Sequence, residues 1–380
     1  MCNVKAYKYK LKVNKAFEAN CHQTLNVCRE LYNASIQERR DAYQINHVSI
    51  SYQTQSGQLP EIKALRDDVK AIYSQVLQDT LKRSDKAFQA FFRRCKSGET
   101  PGYPRFKSKD RFDSFTYPGT GFSLQGDKLF LSKIGSCRLR LSREIEGKIK
   151  TCTLKRECDG WYVIFTVEGG KSKSLPKTGQ VVGIDVGLEN FATLSTGEAI
   201  ANPRFFKQAE PLLANAQRKL SSKQRGSGKR KAAKKTVSKV HRKIQNQRQD
   251  FAHKLANGLL KRFDELHIED LNIKRMTQDG NFSKNIHDVA WNTFFQITTY
   301  KAVDAGKLVK KKVSAYTSQD CCECGQRMKL TIRDRIFVCS NCSNRKHRDH
   351  NAAINILNGR ASRREQMLSE SPSKTPALSV

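Results

Sequence analysis

The part of the chain that most constrains its fold is residues 317–357, which carry two Cys-x-x-Cys pairs. Cys321 and Cys324 form the first pair, Cys339 and Cys342 form the second, and 14 residues separate the two pairs. Four thiolates at this spacing match the tetrahedral coordination of Zn²⁺, because each short turn presents two sulfurs to one side of the metal. A ribbon of this size has no core of its own, so we expect metal binding to stabilise it.

An extra cysteine, Cys322, lies inside the first pair. We assign the first pair to Cys321 and Cys324 because these two keep the spacing of two intervening residues. Four thiolates leave no coordination position for water, so the predicted zinc is structural and not catalytic. The other cysteines are scattered along the chain, which predicts a reducing compartment and no disulfide framework.

The charge balance predicts a polyanionic partner. The chain has 70 basic and 36 acidic residues, which gives a formal net charge of +34. Such an excess repels itself in a compact protein unless an anion neutralises it, and nucleic acid is the natural candidate. A cationic ribosomal protein or a protein bound at a membrane surface would be basic too, but the acids of this chain stand at specific positions.

The sequence predicts no membrane association. It contains no apolar run long enough to cross a bilayer, and its first residues, MCNVKAYKYKLKV, alternate with lysines in a way that a signal peptide does not. We therefore expect a soluble protein of the cytoplasm with no membrane partner.

The first half of the chain predicts helices between two β segments. Residues 5–13 alternate as a strand does, and an amphipathic helix follows. A longer helix is predicted with an apolar side from Leu65 to Phe92, ended by the Gly and Pro residues after it. From about Arg105 the apolar period changes to two, which predicts an antiparallel β unit.

The second half predicts short buried strands that alternate with helices. A strand at 181–185 has a hairpin partner at 191–195, a third short strand follows near 198–201, and residues 265–269 form another buried strand. Residues 204–249 predict two helices with 15 Lys or Arg residues and one acid, with the turn placed in RGSGKRKAAKK. A helix at 291–305 and a strand at 307–314 lead into the cysteine pairs, and the last helix begins near Asp349.

Three acids have positions that suggest chemistry. Asp185 and Glu269 each end an apolar strand, and Asp349 opens a helix. Desolvating a carboxylate is costly unless it is paired or bound to a metal. One such acid alone is more often a turn or cap residue, but three in this order match an RNase H-like nuclease, whose carboxylates hold two Mg²⁺ ions about 4 Å apart. Glu269 is followed by Asp270, and alternation along the strand leaves open which of the two is the ligand.

Four aromatic residues lie among basic residues between positions 103 and 117. Such rings can stack on nucleic acid bases or pack in a hydrophobic core, and we expect core positions for them. They are Tyr103, Phe106, Phe115 and Tyr117.

The chain resembles the TnpB proteins of bacterial insertion sequences, which are related to type V CRISPR effectors. The three RuvC segments and the zinc ribbon of that family correspond to VGIDVGLENFATLSTGE, HIEDLN and TSQDCCEC…CSNC…RDHNAAINIL. The likeness extends to KAYKYKLKVNKAFEAN, CRELYNASIQER and GYPRFKSKDRFDSFTYP, and so covers nearly the whole chain up to about Gly359. The C-terminal motif is highly specific, and the N-terminal ones are moderately so.

The resemblance implies an RNA-guided DNA endonuclease of a transposable element, associated with the bacterial nucleoid. Such a protein binds a guide RNA made from the transposon end, recognises a short motif beside its double-stranded target DNA, and cuts with its RuvC site. By motif match, Asp185, Glu269 and Asp349 are the catalytic acids that bind two Mg²⁺ ions. The zinc ligands by the same match are Cys321, Cys324, Cys339 and Cys342.

The implied fold is an α/β multidomain protein: an RNase H-like (RuvC) domain with an inserted zinc ribbon, plus a wedge-type β-barrel and a helical recognition domain. The implied boundaries are 1–13 and 105–168 for the wedge-like barrel, 14–104 for the recognition domain, 169–180 for a linker, 181–315 and 348–360 for the nuclease domain, 316–347 for the zinc ribbon, and 361–380 for a disordered tail.

Three other functions fit parts of the sequence. A catalytically silent RNA-guided DNA-binding protein or transposition accessory factor would share the fold, but the complete set of acids favours cleavage. A transposase that joins strands also uses three acids, although the ribbon before the last acid counts against it. A zinc-ribbon transcription factor would leave the strand-end acids unexplained.

Overall fold

The structure is a computed structural model that describes residues 4–170, 174–271, 288–312, 316–331 and 334–359. The chain divides into two compact units, Met1–Lys171 and Ser172–Val380. Within the described ranges, no helix has the length and apolar character needed to cross a membrane. The expected cytoplasmic location stays a prediction, and the tail at 361–380 lies outside the described residues.

The first unit combines an antiparallel sheet with helices. In chain order its elements are β1 (Val4–Lys12), α1 (Lys15–Asn46), α2 (Tyr52–Gly57), α3 (Leu59–Leu65), α4 (Asp67–Lys70), α5 (Ser74–Lys96), β2 (Ser114–Pro118), β3 (Phe122–Gln125), β4 (Lys128–Leu131), β5 (Gly135–Arg140), β6 (Lys148–Glu157) and β7 (Gly160–Glu168). The seven strands pair in the order β2-β6-β7-β1-β5-β4-β3. Closure of this sheet into a wedge-type barrel stays a prediction.

Alternation of side chains explains how this sheet meets its helices. Every second residue of β7 is almost fully buried, beginning with Trp161 and ending with Val167. The predicted apolar face of α1, which includes Cys21 and Cys28, joins the same core. Burial of each large apolar side chain contributes about 2 kcal/mol, so this face holds the helices against the sheet.

The predicted long helix from Leu65 to Phe92 is wrong in its first part. The chain instead forms the short helices α3 and α4, and α5 begins only at Ser74. Leu65 is 86% exposed, so it does not belong to an apolar helical side. The interruption lets Tyr73 stack on Tyr117, with ring centroids 5.6 Å apart, and such a tertiary contact overrides a periodic pattern.

The core positions expected for the four aromatic residues are confirmed for two of them and wrong for the other two. Phe115 and Tyr117 are each 1% exposed, because they lie on the inner face of β2. Tyr103 and Phe106 are 43% and 46% exposed, so the core prediction is wrong for them. They belong to a segment that forms neither helix nor strand, where alternation cannot direct a side chain inward.

The second unit is built on a mixed sheet. Its elements are β8 (Val181–Val186), β9 (Asn190–Leu194), β10 (Ala199–Ala201), α6 (Phe205–Ser221), α7 (Gly228–Arg262), β11 (Glu265–Glu269), α8 (Trp291–Ala305), β12 (Leu308–Lys312), β13 (Ile336–Val338), β14 (Arg345–His347) and α9 (Arg348–Asn358). Five strands pair in the order β10-β9-β8-β11-β12, and β8, β11 and β12 run parallel. Residues 313–314 of the predicted strand 307–314 lie outside the described residues.

Helix α9 lies directly on β8 at Gly183. A Cβ atom at this position would be 2.1 Å from the carbonyl oxygen of Ala353 and 2.8 Å from the backbone nitrogen of Leu357. Glycine therefore allows an approach of helix to strand that any side chain would prevent. This close packing brings the start of α9 to the carboxyl end of β8.

The turn between the two basic helices comes earlier than predicted. Residues 222–227 form it, and the KRKAAKK segment is already part of α7. Ser227 caps α7 by accepting a hydrogen bond from the Arg230 N–H at 3.1 Å. Arg230 in turn donates to the carbonyls of Leu220 and Lys223 at 2.9 and 2.8 Å, which closes the end of α6. The prediction placed KRKAAKK in the turn, but Lys, Arg and Ala are strong helix formers.

Candidate active site and metal centre

Two of the three predicted acids stand side by side at one edge of the second sheet. Strands β8 and β11 are parallel, and Ile184 lies opposite Ile268. Asp185 and Glu269 are the next residues of the two strands, so their side chains point to the same face. Both are half-buried.

The third acid reaches the same place from α9. Asp349 is in the first turn of this helix and is buried. A Cβ atom at Gly187, two residues after Asp185, would lie 3.9 Å from Asp349 Oδ2. The carboxylate therefore faces the chain that leaves β8.

The electrostatics of Asp185 agree with the proximity of the three carboxylates. Burial raises the pKa of Asp185 well above its usual value, and the negative charges of Glu269 and Asp349 raise it further. The nearby Arg348 guanidinium acts in the opposite direction, more weakly. Negative charge is thus concentrated at this site.

The structure separates Glu269 from its neighbour Asp270. Asp270 is exposed and accepts a hydrogen bond from Lys311 Nζ at 2.9 Å. Glu269, in contrast, is close enough to Asp185 to shift its pKa. The structure therefore brings Glu269 into the acidic cluster and directs Asp270 toward solvent, a choice that alternation alone left open.

Basic groups restrain Asp349. Arg348 Nε is 3.4 Å from Asp349 Oδ1, and Arg348 Nη1 donates to the carbonyl of Thr331 at 3.3 Å. The Asp349 N–H donates to His347 Nδ1 at 3.3 Å, so His347 caps the helix. His350 points elsewhere, with Nε2 3.1 Å from the carbonyl oxygen of Ser195, and it fastens α9 to the turn between β9 and β10.

The acidic cluster suits a hard divalent cation. All of its donors are carboxylate oxygens, which Mg²⁺ prefers and which soft metals do not. Asp185 illustrates the fit, since its ionised form is disfavoured by burial and by two like charges. A bound cation would relieve both effects.

The four predicted cysteines form a second cluster with the geometry of a metal site. Their Sγ atoms all lie within 4.8 Å of one another, with 3.6 Å between Cys321 and Cys342 and 3.5 Å between Cys324 and Cys339. Zn–S bonds of about 2.3 Å in a tetrahedron place sulfurs about 3.8 Å apart. The residues therefore fit Zn²⁺ closely.

Cys322 is not part of this cluster. Its side chain is buried, and its sulfur faces Asn344 Nδ2 at 3.5 Å and Lys346 Nζ at 3.7 Å. Its N–H donates to Asn351 Oδ1 at 2.9 Å. The geometry thus agrees with the assignment of Cys321 and Cys324 as the first pair.

Sequence reasoning missed two buried asparagines that connect the cysteine cluster to α9. Asn351 Nδ2 and Asn355 Nδ2 both donate to the carbonyl of Asp320, at 2.8 and 2.7 Å, and Asn355 also donates to the carbonyl of Thr317 at 2.8 Å. They occupy positions i and i+4 of an otherwise apolar helical run. That pattern of buried amides was the available signal, because buried polar groups need partners.

Comparisons with known proteins place the chain in a family. The family model described as "Probable transposase" matches residues 164–279, "Cas12f1-like, TNB domain" matches 291–356, and "Helix-turn-helix domain" matches 1–47. A protein of Streptomyces pristinaespiralis named "Putative RNA-guided DNA endonuclease" is 33% identical, over 93% of this chain and 88% of its own length. "Putative RNA-guided DNA endonuclease InsQ" of Escherichia coli (strain K12) is 28% identical, over 94% and 92%.

A solved structure shares the fold. It is a Cas12f1 chain in a complex with sgRNA and target DNA, with a TM-score of 0.57, 16% sequence identity and coverage of 90% of this chain and 82% of that one. The fold is therefore of the TnpB and Cas12 type. Together with the sequence relatives, this confirms the resemblance noted above: the chain belongs to the TnpB family.

Proposed function

We propose that this protein is an RNA-guided DNA endonuclease of a transposable element. The observation that carries the proposal is the convergence of Asp185, Glu269 and Asp349 on one partly buried site. The relatives that carry this name match nearly the whole chain, which supports the same activity here. The wedge-like and helical recognition domains, with the boundaries given above, are part of this proposal.

The three acids are the catalytic residues in this proposal, and they hold two Mg²⁺ ions. When bound, the ions supply activation of the attacking water and stabilisation of the leaving 3′ oxygen. The residues contribute position and charge: parallel pairing sets Asp185 beside Glu269, and α9 delivers Asp349. Arg348, 3.4 Å from Asp349, restrains the orientation of that carboxylate.

The cysteine cluster holds a structural Zn²⁺ ion in this proposal. Cys321, Cys324, Cys339 and Cys342 fill its coordination sphere, so the metal has no position for a reacting water. Its function is to fold the ribbon, and the amides of Asn351 and Asn355 transmit that order to the helix of Asp349.

The basic helices α6 and α7 neutralise nucleic acid backbones. Residues 204–249 carry 15 Lys or Arg residues and one acid, and most of these basic side chains are exposed or half-buried. Lysine and arginine contacts to phosphates release counterions, which makes affinity depend steeply on salt. Sequence specificity comes instead from pairing between the guide RNA, made from the transposon end, and the target strand.

The first experiment is to purify the protein from cells that carry its native locus and to sequence the RNA that copurifies. A single abundant RNA that ends in variable sequence from beside the element is expected. Bulk degraded RNA would remove the guide from the proposal and favour a sequence-independent nuclease or an accessory factor of transposition.

The second experiment tests cleavage. A plasmid that matches the variable end of the RNA is incubated with the complex and Mg²⁺, with EDTA as the metal-free condition. We expect Asp185→Ala and Glu269→Ala to abolish cutting while RNA and target binding persist. Asp270→Ala is the matched control, because this adjacent acid pairs with Lys311 at the surface and should cut at the wild-type rate. Retained cleavage by Asp185→Ala would exclude this site, and target binding without cleavage in wild type would indicate a silent guided binder.

A further inference from the structure

The first unit carries an exposed aromatic patch that the catalytic proposal does not use. It consists of Phe92, Tyr103 and Phe106, whose side chains are 55%, 43% and 46% exposed. Phe92 lies near the end of α5, and the other two belong to the segment at 101–107 that follows this helix. Single exposed aromatics are ordinary at protein surfaces, but a group beside basic residues points to a binding site.

The patch is held in place by its surroundings. The Tyr103 ring meets Phe88 and Phe91 edge-on, with centroids 5.6 and 5.4 Å away. The Asn33 side chain bonds both backbone groups of Lys107, accepting from its N–H at 2.8 Å and donating to its carbonyl at 3.1 Å. Pro104 restricts the residue before it to extended conformations. The exposed parts of the two rings are therefore presented by a fixed backbone, which lowers the entropy lost on binding.

The charges around the patch favour a polyanion. The Arg40 guanidinium lies over the Phe106 ring, 5.6 Å from its centroid, and Arg105 is exposed between the two rings of the segment. The last turn of α5 adds Arg93, Arg94 and Lys96. Asp41 is the acid near Tyr103, and it pairs with Arg40 at 3.5 Å and accepts hydrogen bonds from Gln37.

We propose that Tyr103 and Phe106 form a stacking surface for unpaired bases of bound RNA, with Arg105 and Arg40 next to its phosphates. Aromatic rings interleaved with basic side chains are how proteins hold single strands, because every base offers a π face while its backbone offers negative charge. Fixed aromatic and guanidinium planes are also the usual partners of splayed-out RNA bases.

We expect RNA and not DNA at this surface, because RNA offers unpaired bases before the target is bound. This argument rests on the proposed function: a guide RNA has unpaired nucleotides before any target arrives, whereas target DNA enters as a duplex and its target strand then pairs with the guide.

The test uses full-length protein and two 12-nucleotide probes, oligouridine RNA and an abasic RNA with the same backbone, at a fixed salt concentration. Tyr103→Leu and Phe106→Leu keep apolar bulk against the neighbouring rings but remove the π faces. We expect each variant to bind oligouridine at least about fivefold more weakly, and the double variant more weakly still. Affinity for the abasic probe should not change, so a misfolded variant, which would lose both, is recognised.

Phe130→Leu is the matched control, because this ring is 47% exposed on β4 and is not part of the patch. It should leave the ratio of oligouridine to abasic affinity at the wild-type value. With 5-iodouridine in the probe, ultraviolet crosslinks should map to the peptide that contains residues 101–107.

The stacking proposal would be overturned if Tyr103→Leu and Phe106→Leu kept the wild-type ratio of oligouridine to abasic affinity. Crosslinks confined to other peptides would also overturn it. In the complex purified with its native RNA, crosslinks from the 101–107 peptide to target DNA and none to the RNA would overturn the commitment to RNA. Neither readout involves cleavage. The stacking proposal can therefore be refuted while the endonuclease proposal is supported, and the endonuclease proposal can be refuted while the stacking proposal is supported.

Discussion

Single residues decide whether the acidic site assembles. Asp185 and Glu269 meet through strand pairing, but Asp349 arrives only because Gly183 lets α9 touch β8. Arg348 then offsets part of the charge of three carboxylates. The site is a place where like charges are held together, and such strain is stable only when the surrounding packing enforces it.

Gly183→Ala should destabilise the second unit and suppress cleavage. The new methyl group would lie 2.1 Å from the Ala353 carbonyl, and backbone on both sides cannot yield without moving α9 and Asp349. Overpacking of this kind costs about 1–3 kcal/mol. Gly258→Ala is the control, since its Cβ meets nothing within 4 Å in α7 and should leave stability unchanged or raise it. Urea unfolding measures the stability of each variant, and plasmid cutting measures its cleavage activity. An unchanged unfolding midpoint for Gly183→Ala would refute the packing argument.

An ion pair at the start of β11 should make stability depend on pH. Lys307 donates to the Asp264 carboxylate and to the Pro176 carbonyl, and the Thr178 and Gly179 N–H groups also donate to Asp264. The Lys307 bond, chiefly, lowers the pKa of Asp264. A lowered carboxyl pKa stabilises the fold above the unfolded value of about 3.9, and this contribution is lost as pH falls through the folded value.

Asp264→Asn should therefore lower the urea midpoint at pH 7, where the buried Lys307 loses its counter-charge. The difference from wild type should shrink as pH falls below about 4. Asp250→Asn serves as control, because its pair with Lys254 is exposed on both sides and contributes little. A difference that stays constant across pH would contradict the assigned ion pair.

At the scale of elements, the cysteine cluster and α9 act together. The ribbon strands β13 and β14 are three residues each, too short to hold themselves without a metal. The amides of Asn351 and Asn355 bind the loop that carries Cys321 and Cys322, so the catalytic helix and the ribbon share hydrogen bonds. We expect the ribbon to be ordered only when α9 is ordered, and α9 to be ordered only when the ribbon is.

Cys339→Ala should lose zinc and with it most cleavage activity. Three thiolates hold the metal less tightly, and loss of ribbon order frees the start of α9. Cys322→Ala is a demanding control, because this thiol is also buried but lies outside the cluster, so metal content should stay at one zinc per chain. Metal analysis and hydrogen exchange of α9 are the measurements. Full zinc in Cys339→Ala, or lost zinc in Cys322→Ala, would show that the four ligands are wrongly assigned.

At the scale of the whole molecule, the net charge of +34 favours a polyanionic partner such as nucleic acid. The basic helices concentrate this charge. They project lysines along a helical hairpin whose own core is small, formed by Leu213, Val240 and Ile244 with a few partly buried neighbours. A long and thinly packed hairpin is suited to lie along a phosphate backbone, not to enclose a small ligand.

Replacing Lys231, Lys234 and Lys235 with Gln should weaken RNA binding and lower its salt dependence. Each lost phosphate contact reduces the slope of log K against log[salt] by about 0.7–0.9. The control replaces Lys12, Lys128 and Lys148 of the first unit with Gln. It changes the net charge by the same amount, so it distinguishes local phosphate contacts from overall electrostatic attraction. Binding measured from low to high salt gives the slopes, and identical slopes for wild type and the hairpin variant would place the contacts elsewhere.

The sequence by itself determined most elements of the second unit and the candidate ligands. Period-two and helical patterns located nearly all strands and helices of the second unit, because side-chain burial follows backbone geometry. The spacing of the cysteines identified four sulfurs, which meet in the structure. Catalytic roles for Asp185, Glu269 and Asp349, and the domain boundaries, stay predictions, although the structure does bring the three acids together.

Tertiary structure decided what local pattern leaves open. The break before α5 accompanies the packing of Tyr73 on Tyr117, a contact between residues 44 positions apart, which no periodicity contains. The choice of Glu269 over Asp270 depends on which face of β11 meets β8 and α9. The exposure of Tyr103 and Phe106 depends on a segment clamped by Asn33 of α1. In each case the deciding interaction joins distant parts of the chain. A short window of sequence does not contain both partners, so it cannot predict the interaction.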